Sequence, residues 1–189
     1  VLEKPTGSKT RAENFSSQSY DYFGHHQFIE SLPTGIGLGR IPENPVNDFR
    51  SGEKIVFSGS VPRDFVAHTI IDFLGVKQAR DAGILFRTTG PSVGYDAQRG
   101  YFAGLIPRTN LVILGVTDGT KWKELARAKT SIDVNEQQKL TVNMVGQKIS
   151  ISHNGEPKIQ HHDATYSRGR FGLRVRSEEH TSELQSRQY

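Results

Sequence analysis

From Lys54 onward the chain is a succession of short apolar runs, each closed by a turn residue: "KIVFSG", "DFVAHTIIDFLG", "GILFRTTG", "GYFAGLIP", "NLVILGV", "KWKELA", "KLTVNMVG", "KISISH", "PKIQHH" and "RFGLRV". A repeat of about ten residues, rich in Val, Ile and Phe, builds half-buried strands joined by tight turns, and so a β-sandwich or barrel. Only "VKQARDA" and "VNEQQ" carry a helical pattern, each of a turn or two. Nineteen glycines and eight prolines in 189 residues fit a turn-rich chain with one core.

The stretch "KLTVNMVGQKISISHNGEPKI" fixes its own register. A two-residue turn at Gly146-Gln147 sets Met144 opposite Ile149 and Val142 opposite Ile151, leaving Thr141, Asn143, Ser150 and Ser152 on the other face. In the next hairpin a three-residue loop, Asn154-Gly155-Glu156, sets Ile159 opposite Ile151, where a two-residue loop would set Lys158. The hydrophobic pattern selects the longer loop. The expected fold is therefore an antiparallel sandwich with one wet face per sheet.

Residues 1–50 read differently. They are polar and turn-rich without a sustained period, and are expected to be a linker plus one strand wrapping the edge of a domain over 51–175. "GIGLGR" (Gly35 to Arg40) has the glycine density of a phosphate loop. The prolines of "IPENP" forbid the helix such a loop must enter, so it is not one.

Composition excludes several functions. With no cysteine there is no disulfide, thiolate nucleophile or thiolate metal site. No apolar run is long enough to span a bilayer. The net charge of +4 is spread along the chain with no basic block, which argues against a nucleic-acid partner. The chain opens on Val1 without a signal peptide and is expected to be a piece of something longer.

The order of "GILFRTTG", "GYFAGL", "NLVILGVTDGTKWKELA", "LTVNMVGQKISISHNGEP" and "GRFGLRV" resembles the concanavalin A-like jelly-roll domains of the laminin-G-like and 3-keto-disaccharide hydrolase type, over residues 53–175. Such domains are often attached to bacterial glycoside hydrolases, which implies a periplasmic or secreted setting and a covalently linked partner domain. They usually close with one more strand. Here "RSEEHTSELQS" follows instead, without apolar periodicity, and resembles the conceptual translation of a sequencing-library adapter. Arg176–Tyr189 is therefore expected to be a non-native tail, and the jelly roll to be truncated at its last strand. A structural calcium is common in these domains, but nothing in the sequence calls for one, and no cofactor is expected.

The candidate site residues come from strand parity. Trp122 shares parity with Glu124 and opposes Leu125, so its indole is offered as a platform for a sugar ring. Tyr95, Tyr101 and Arg87 lie on neighbouring runs, with Arg87 alternating away from Phe86. Aromatic platforms beside planar hydrogen-bonding groups suit oligosaccharides and polysaccharides. Equally, Trp122 and Tyr101 fill a sandwich core.

His68, in "DFVAHTIIDF", alternates with Ala67 and Thr69. The resemblance implies a second chemistry for it, the elimination of a 3-keto-glycoside, with His68 as base at C2 and Arg87 stabilising the enolate. A laminin-G-like protein-binding domain is the third reading, since fold alone does not decide function. The first, a non-catalytic glycan-binding or interaction module, is preferred.

No metal site is expected. His161 opposes Ile149, roughly 13 Å along the strand from the partner of His153, and His161 and His162 point to opposite faces. These histidines, with His25-His26, are expected to be exposed. Asp118-Gly119 and Asn154-Gly155 are turns, Asn14-Phe15-Ser16 fits a glycosylation pattern of the accidental kind, and Asp64 and Asp72 have no partner carboxylate for glycoside hydrolysis.

Overall fold

The computed structural model describes residues 2–3, 19–24, 28–32, 35–39, 53–59, 61–75, 77 and 79–176, with side chains over 19–24 and from 53 onward. The strands are β1 (Leu2–Glu3), β2 (Tyr20–Phe23), β3 (Phe28–Leu32), β4 (Gly35–Gly39), β5 (Glu53–Phe57), β6 (Phe65–Ile71), β7 (Asp81–Thr89), β8 (Arg99–Ile106), β9 (Leu111–Asp118), β10 (Trp122–Lys129), β11 (Gln138–Val145), β12 (Lys148–His153), β13 (Glu156–His162) and β14 (Arg170–Arg176). They form a five-stranded sheet in the order β1-β6-β11-β12-β13, a seven-stranded sheet in the order β10-β9-β8-β7-β14-β5-β2, and the separate hairpin β3-β4. Every pairing among them is antiparallel.

One core lies between the two large sheets, because strand alternation turns one face of each inward. Phe65, Leu140, Val142, Met144, Ile149 and Ile151 come from the five-stranded sheet. Ile55, Ile84, Phe86, Tyr101, Leu105, Leu114 and Phe171 come from the other. Aromatic contacts stitch the layers, with Phe65 meeting Phe171 edge-on at 4.5 Å and Phe86 at 6.1 Å, and within the seven-stranded sheet Phe86 stacks on Tyr101 at 5.2 Å.

The β11–β12 register is the expected one, Met144 with Ile149 and Val142 with Ile151. Ile159 also sits opposite Ile151, but by another device. The loop has two residues, Asn154-Gly155, with His153 paired to Glu156, and a bulge between Ile151 and Ser152 absorbs the extra residue.

Among the described residues neither expected helix forms. Asp81 and Ala82 of "VKQARDA" open β7, whose pairing on both sides outweighs a weak local preference, and "VNEQQ" is a turn running into β11. Part of the first fifty residues joins the sandwich, since β2 pairs with β5 through Tyr20↔Phe57 to Phe23↔Lys54. Gly35–Gly39, in the discarded phosphate-loop motif, is strand β4.

At the C-terminal end β14 is interior to its sheet, and Arg176 pairs with Asp81. Residues 177–189, Asn14 and His25-His26 lie outside the described residues. No described helix is long and apolar enough to cross a membrane.

Candidate functional site

The outer face of the seven-stranded sheet carries an unusual row. Reading across one level of the register, Lys54 opposes Arg174, Arg174 opposes Gly83, Gly83 opposes Gly104, Gly104 opposes Ile113, and Ile113 opposes Arg127. The next level runs Val56, Gly172, Leu85, Phe102, Gly115, Glu124. The glycines leave room that large neighbours occupy. A Cβ on Gly104 would stand 2.5 Å from the Phe102 ring, and one on Gly115 would stand 2.2 Å from the Trp122 indole. Phe102, Leu85 and Ile113 thus form a small second core on this face, with Trp122, Ile106 and Leu111 packed against it.

Arg174 lies over this apolar floor. Its guanidinium carbon sits 3.4 Å from the centre of the Phe102 ring, 3.9 Å from that of Tyr95 and 5.7 Å from that of Trp122. The segment joining β7 to β8, residues 90–98, straps over it and delivers Tyr95, Asp96 and Gln98. The Tyr95 hydroxyl donates to Asp81 Oδ2 at 2.6 Å and accepts from Arg174 Nη2 at 2.7 Å. Arg174 also pairs with Asp81 at 3.3 Å and with Asp96 at 3.5 Å. Lys54 Nζ donates to Gln98 Oε1 and, at 3.3 Å, to the Ala97 carbonyl, while the Thr117 hydroxyl donates to the Asp96 carbonyl at 2.9 Å.

Burial dominates the electrostatics here. It lowers the Lys54 amine to about 7, helped by the Arg174 charge beside it. Burial also pushes the Tyr95 phenol and the Asp96 carboxyl up, against the pull of Arg174. The side chains of Arg174 and Asp81 are almost wholly enclosed, whereas 24% of Asp96 reaches solvent. The arrangement therefore offers a carboxylate and an indole edge at its rim, above a buried pair of cations.

Of the residues expected from sequence, Trp122 and Tyr95 belong to this cluster. Tyr101 does not: it faces the core, fully buried, its hydroxyl donating to Asp163 Oδ1 at 2.5 Å, and burial raises its phenol to about 12. Arg87 is also corrected. A bulge between Phe86 and Thr89 and a φ of +49° turn its side chain toward the end of the sandwich. There it donates to the carbonyls of Tyr166 at 2.7 Å, Arg63 at 2.9 Å and Gly146 at 2.9 Å.

His68 sits on the five-stranded sheet opposite Thr141, on its outer face, so it and Arg87 do not converge as a base and an enolate clamp. His153 is buried, not exposed as expected. Its Nδ1 meets the Thr130 hydroxyl at 2.6 Å and its Nε2 meets Gln138 Oε1 at 2.8 Å. Among the described residues no group of histidines and carboxylates is placed to hold a metal.

Sequence reasoning misses Lys54, Asp81, Asp96, Gln98 and Arg174. A signal exists for two of them, since Lys54 in "EKIVF" and Arg174 in "GLRV" are charges inside apolar strand runs.

No family model matches the chain. Over 124 residues it is 27% identical to a levanase from Bacillus subtilis (strain 168), a match covering 66% of this chain and 18% of that protein. The chain thus spans about a fifth of the length of the curated relative it matches. Among solved structures, the carbohydrate binding module CBM66 from Bacillus subtilis superposes with a TM-score of 0.68 at 22% identity, covering 85% of this chain and 90% of the other. A legume lectin-like domain from Entamoeba histolytica superposes with a TM-score of 0.61 at 12% identity, covering 95% and 90%. Likeness at such identities speaks to architecture alone, and with the two facing antiparallel sheets it gives this chain the fold of a concanavalin A-like jelly roll.

Proposed function

We propose that the domain is a non-catalytic glycan-binding module of a larger, exported carbohydrate-active protein, and that it holds a sugar unit at the outer face of the seven-stranded sheet. The observation that carries this reading is the packing of the Trp122 indole against Gly115 beside the Arg174–Asp96 pair. An aromatic surface takes the apolar face of a sugar, while a partly exposed carboxylate accepts its hydroxyl hydrogens and a fixed guanidinium orients that carboxylate.

The similarity to a levanase over a module-sized segment supports a fructan as the first ligand to try, and supports a covalently linked catalytic partner. One such site binds weakly, and linkage to a second module raises the effective concentration at a polymer surface. The separation of His68 from Arg87 leaves the elimination chemistry without its pair of groups.

Titration calorimetry with levan, inulin and an unrelated β-glucan tests the proposal. Saturable heat with one of them is expected, and Trp122→Ala is expected to weaken that binding about tenfold or more. Unchanged affinity in Trp122→Ala would move the site elsewhere. No binding to any glycan would reject the reading.

A further inference from the structure

We infer that the deep end of this site, around Lys54, Gln98 and Arg174, receives an anionic group: a carboxylate, sulfate ester or phosphate ester carried on the glycan. The inference rests on the glycan-binding reading and names the substituent the site discriminates.

The argument is one of charge and of hydrogen-bond capacity. Lys54 and Arg174, opposite one another on β5 and β14, are both 0% exposed. Arg174 shares its charge with Asp81 and Asp96 through contacts of 3.3 and 3.5 Å. Lys54 has no carboxylate partner among the described residues, and its amine is held only by the neutral oxygens of Ala97 and Gln98. Arg174 thus engages both carboxylates and Lys54 neither, and a buried charge without a direct partner is expensive.

The unused hydrogen-bonding capacity points the same way. Arg174 Nε and Gln98 Nε2 are buried with no partner among the described residues, and both are donors. A ligand that brings acceptor oxygens and negative charge satisfies both deficits at once.

Such a group would enter at the rim, where Asp96 reaches solvent. Asp96 is the rim carboxylate, 3.5 Å from Arg174 Nη1, and it rides on the strap over residues 90–98. An incoming anion takes over the place of Asp96 on Arg174, and the strap shifts outward from Gly90 and Gly94, whose φ angles of +55° and +120° suit glycine hinges. Proton linkage follows from the groups around Lys54: Arg174 and Arg176 from β14, Asp81 from β7, and Tyr95 and Asp96 from the strap. With the anion bound, Lys54 keeps its proton to higher pH, so binding weakens as pH rises past neutrality.

The single tryptophan of the chain, Trp122, lies 5.7 Å from the Arg174 guanidinium and reports on the site by fluorescence. The protein is titrated with sodium sulfate, inorganic phosphate, sodium glucuronate and glucose, at ionic strength held constant with chloride. A saturable change is expected with at least one oxyanion and not with glucose, several-fold stronger at pH 6 than at pH 8.5. Which oxyanion responds identifies the substituent as sulfate, phosphate or uronate. Lys54→Met is expected to abolish the change.

Should Lys54→Met not fold, the rim variant Asp96→Asn still decides. It removes the competing carboxylate and is expected to tighten oxyanion binding several-fold, while weakening any neutral glycan that uses Asp96 as an acceptor. A response no different from chloride, or Asp96→Asn no tighter than the native chain, would overturn the inference. Levan binding without an oxyanion response leaves the glycan-binding reading standing and removes only this one.

Discussion

At the scale of single residues, Arg87 shows how far a side chain can depart from what its position in a strand suggests. Alternation from Phe86 places it on the outer face. The bulge instead holds it at a positive φ of +49°, uncommon for a side chain with a Cβ. The surroundings maintain the bend: Gly169 and Gly100 pack so closely that a Cβ on either would stand 2.2 Å and 2.9 Å from the Arg87 backbone. The guanidinium then ties together the approach to β6, the β11–β12 turn and the approach to β14, by satisfying their carbonyls. Charge-assisted bonds of this kind are worth about 1.5–3 kcal/mol each when lost from a buried site, and not additively. Arg87→Ala is expected to lower stability by about 3–5 kcal/mol in urea denaturation. Arg87→Lys recovers little, since a single ammonium cannot span three carbonyls. A loss under about 1 kcal/mol would show that the clamp is not what holds this end of the sandwich.

At the scale of elements, the hairpins show what the sequence makes legible and what it leaves open. The turn at Asn154-Gly155 is readable because both central residues need positive φ, +49° and +84° here, and Asn-Gly is the pair that tolerates it. The strand faces are readable because only one register buries Val142, Met144, Ile149 and Ile151 together. The bulge before Ser152 is not, because a three-residue loop and a two-residue loop with a bulge bury the same side chains. Nor is the outer-face cluster, whose members Lys54, Asp81, Asp96, Gln98 and Arg174 meet only after β5, β14 and β7 are laid side by side. Trp122 and Tyr95, picked from sequence for their chemistry, lie in this cluster, whereas Tyr101, picked on the same chemistry, has the parity that faces the core. A cheap check on the turn follows. A Cβ on Gly155 meets nothing within 4 Å, so Gly155→Ala suffers only the backbone penalty. It is expected to destabilise by about 1 kcal/mol or somewhat more, measured by thermal unfolding. The same substitution at Gly115 meets the Trp122 indole and is expected to disturb glycan binding as well as stability.

At the scale of the whole molecule, two buried bases give stability a common pH dependence. Burial lowers the imidazole of His153, helped by the nearby Lys158 charge. Its network fixes its tautomer. The Gln138 amide nitrogen donates to the carbonyls of Asp133 and Glu136, so its oxygen must accept, and His153 Nε2 carries the proton. With the folded value below the unfolded one near 6.5, the unfolded chain takes up the proton first as pH falls through 6.5, and stability is lost. Lys54 acts in the same direction higher on the scale. Its folded value is about 7 against 10.5 unfolded, so between those limits the unfolded chain holds more protons, and stability rises with pH by at most about 1.4 kcal/mol per unit. The domain is expected to melt at a higher temperature at pH 9 than at pH 7, and at a lower one at pH 5.5. Lys54→Met should raise the melting temperature at pH 7 and flatten the alkaline rise, as apolar replacement of a buried charge often does. A bound oxyanion opposes this trend by keeping the same proton on Lys54. Sulfate at fixed ionic strength should therefore raise the melting temperature more at pH 6 than at pH 9, and in Lys54→Met by the same small amount at both. Scanning calorimetry across that grid separates the two bases, because only the Lys54 limb responds to sulfate and only the acid limb survives in Lys54→Met.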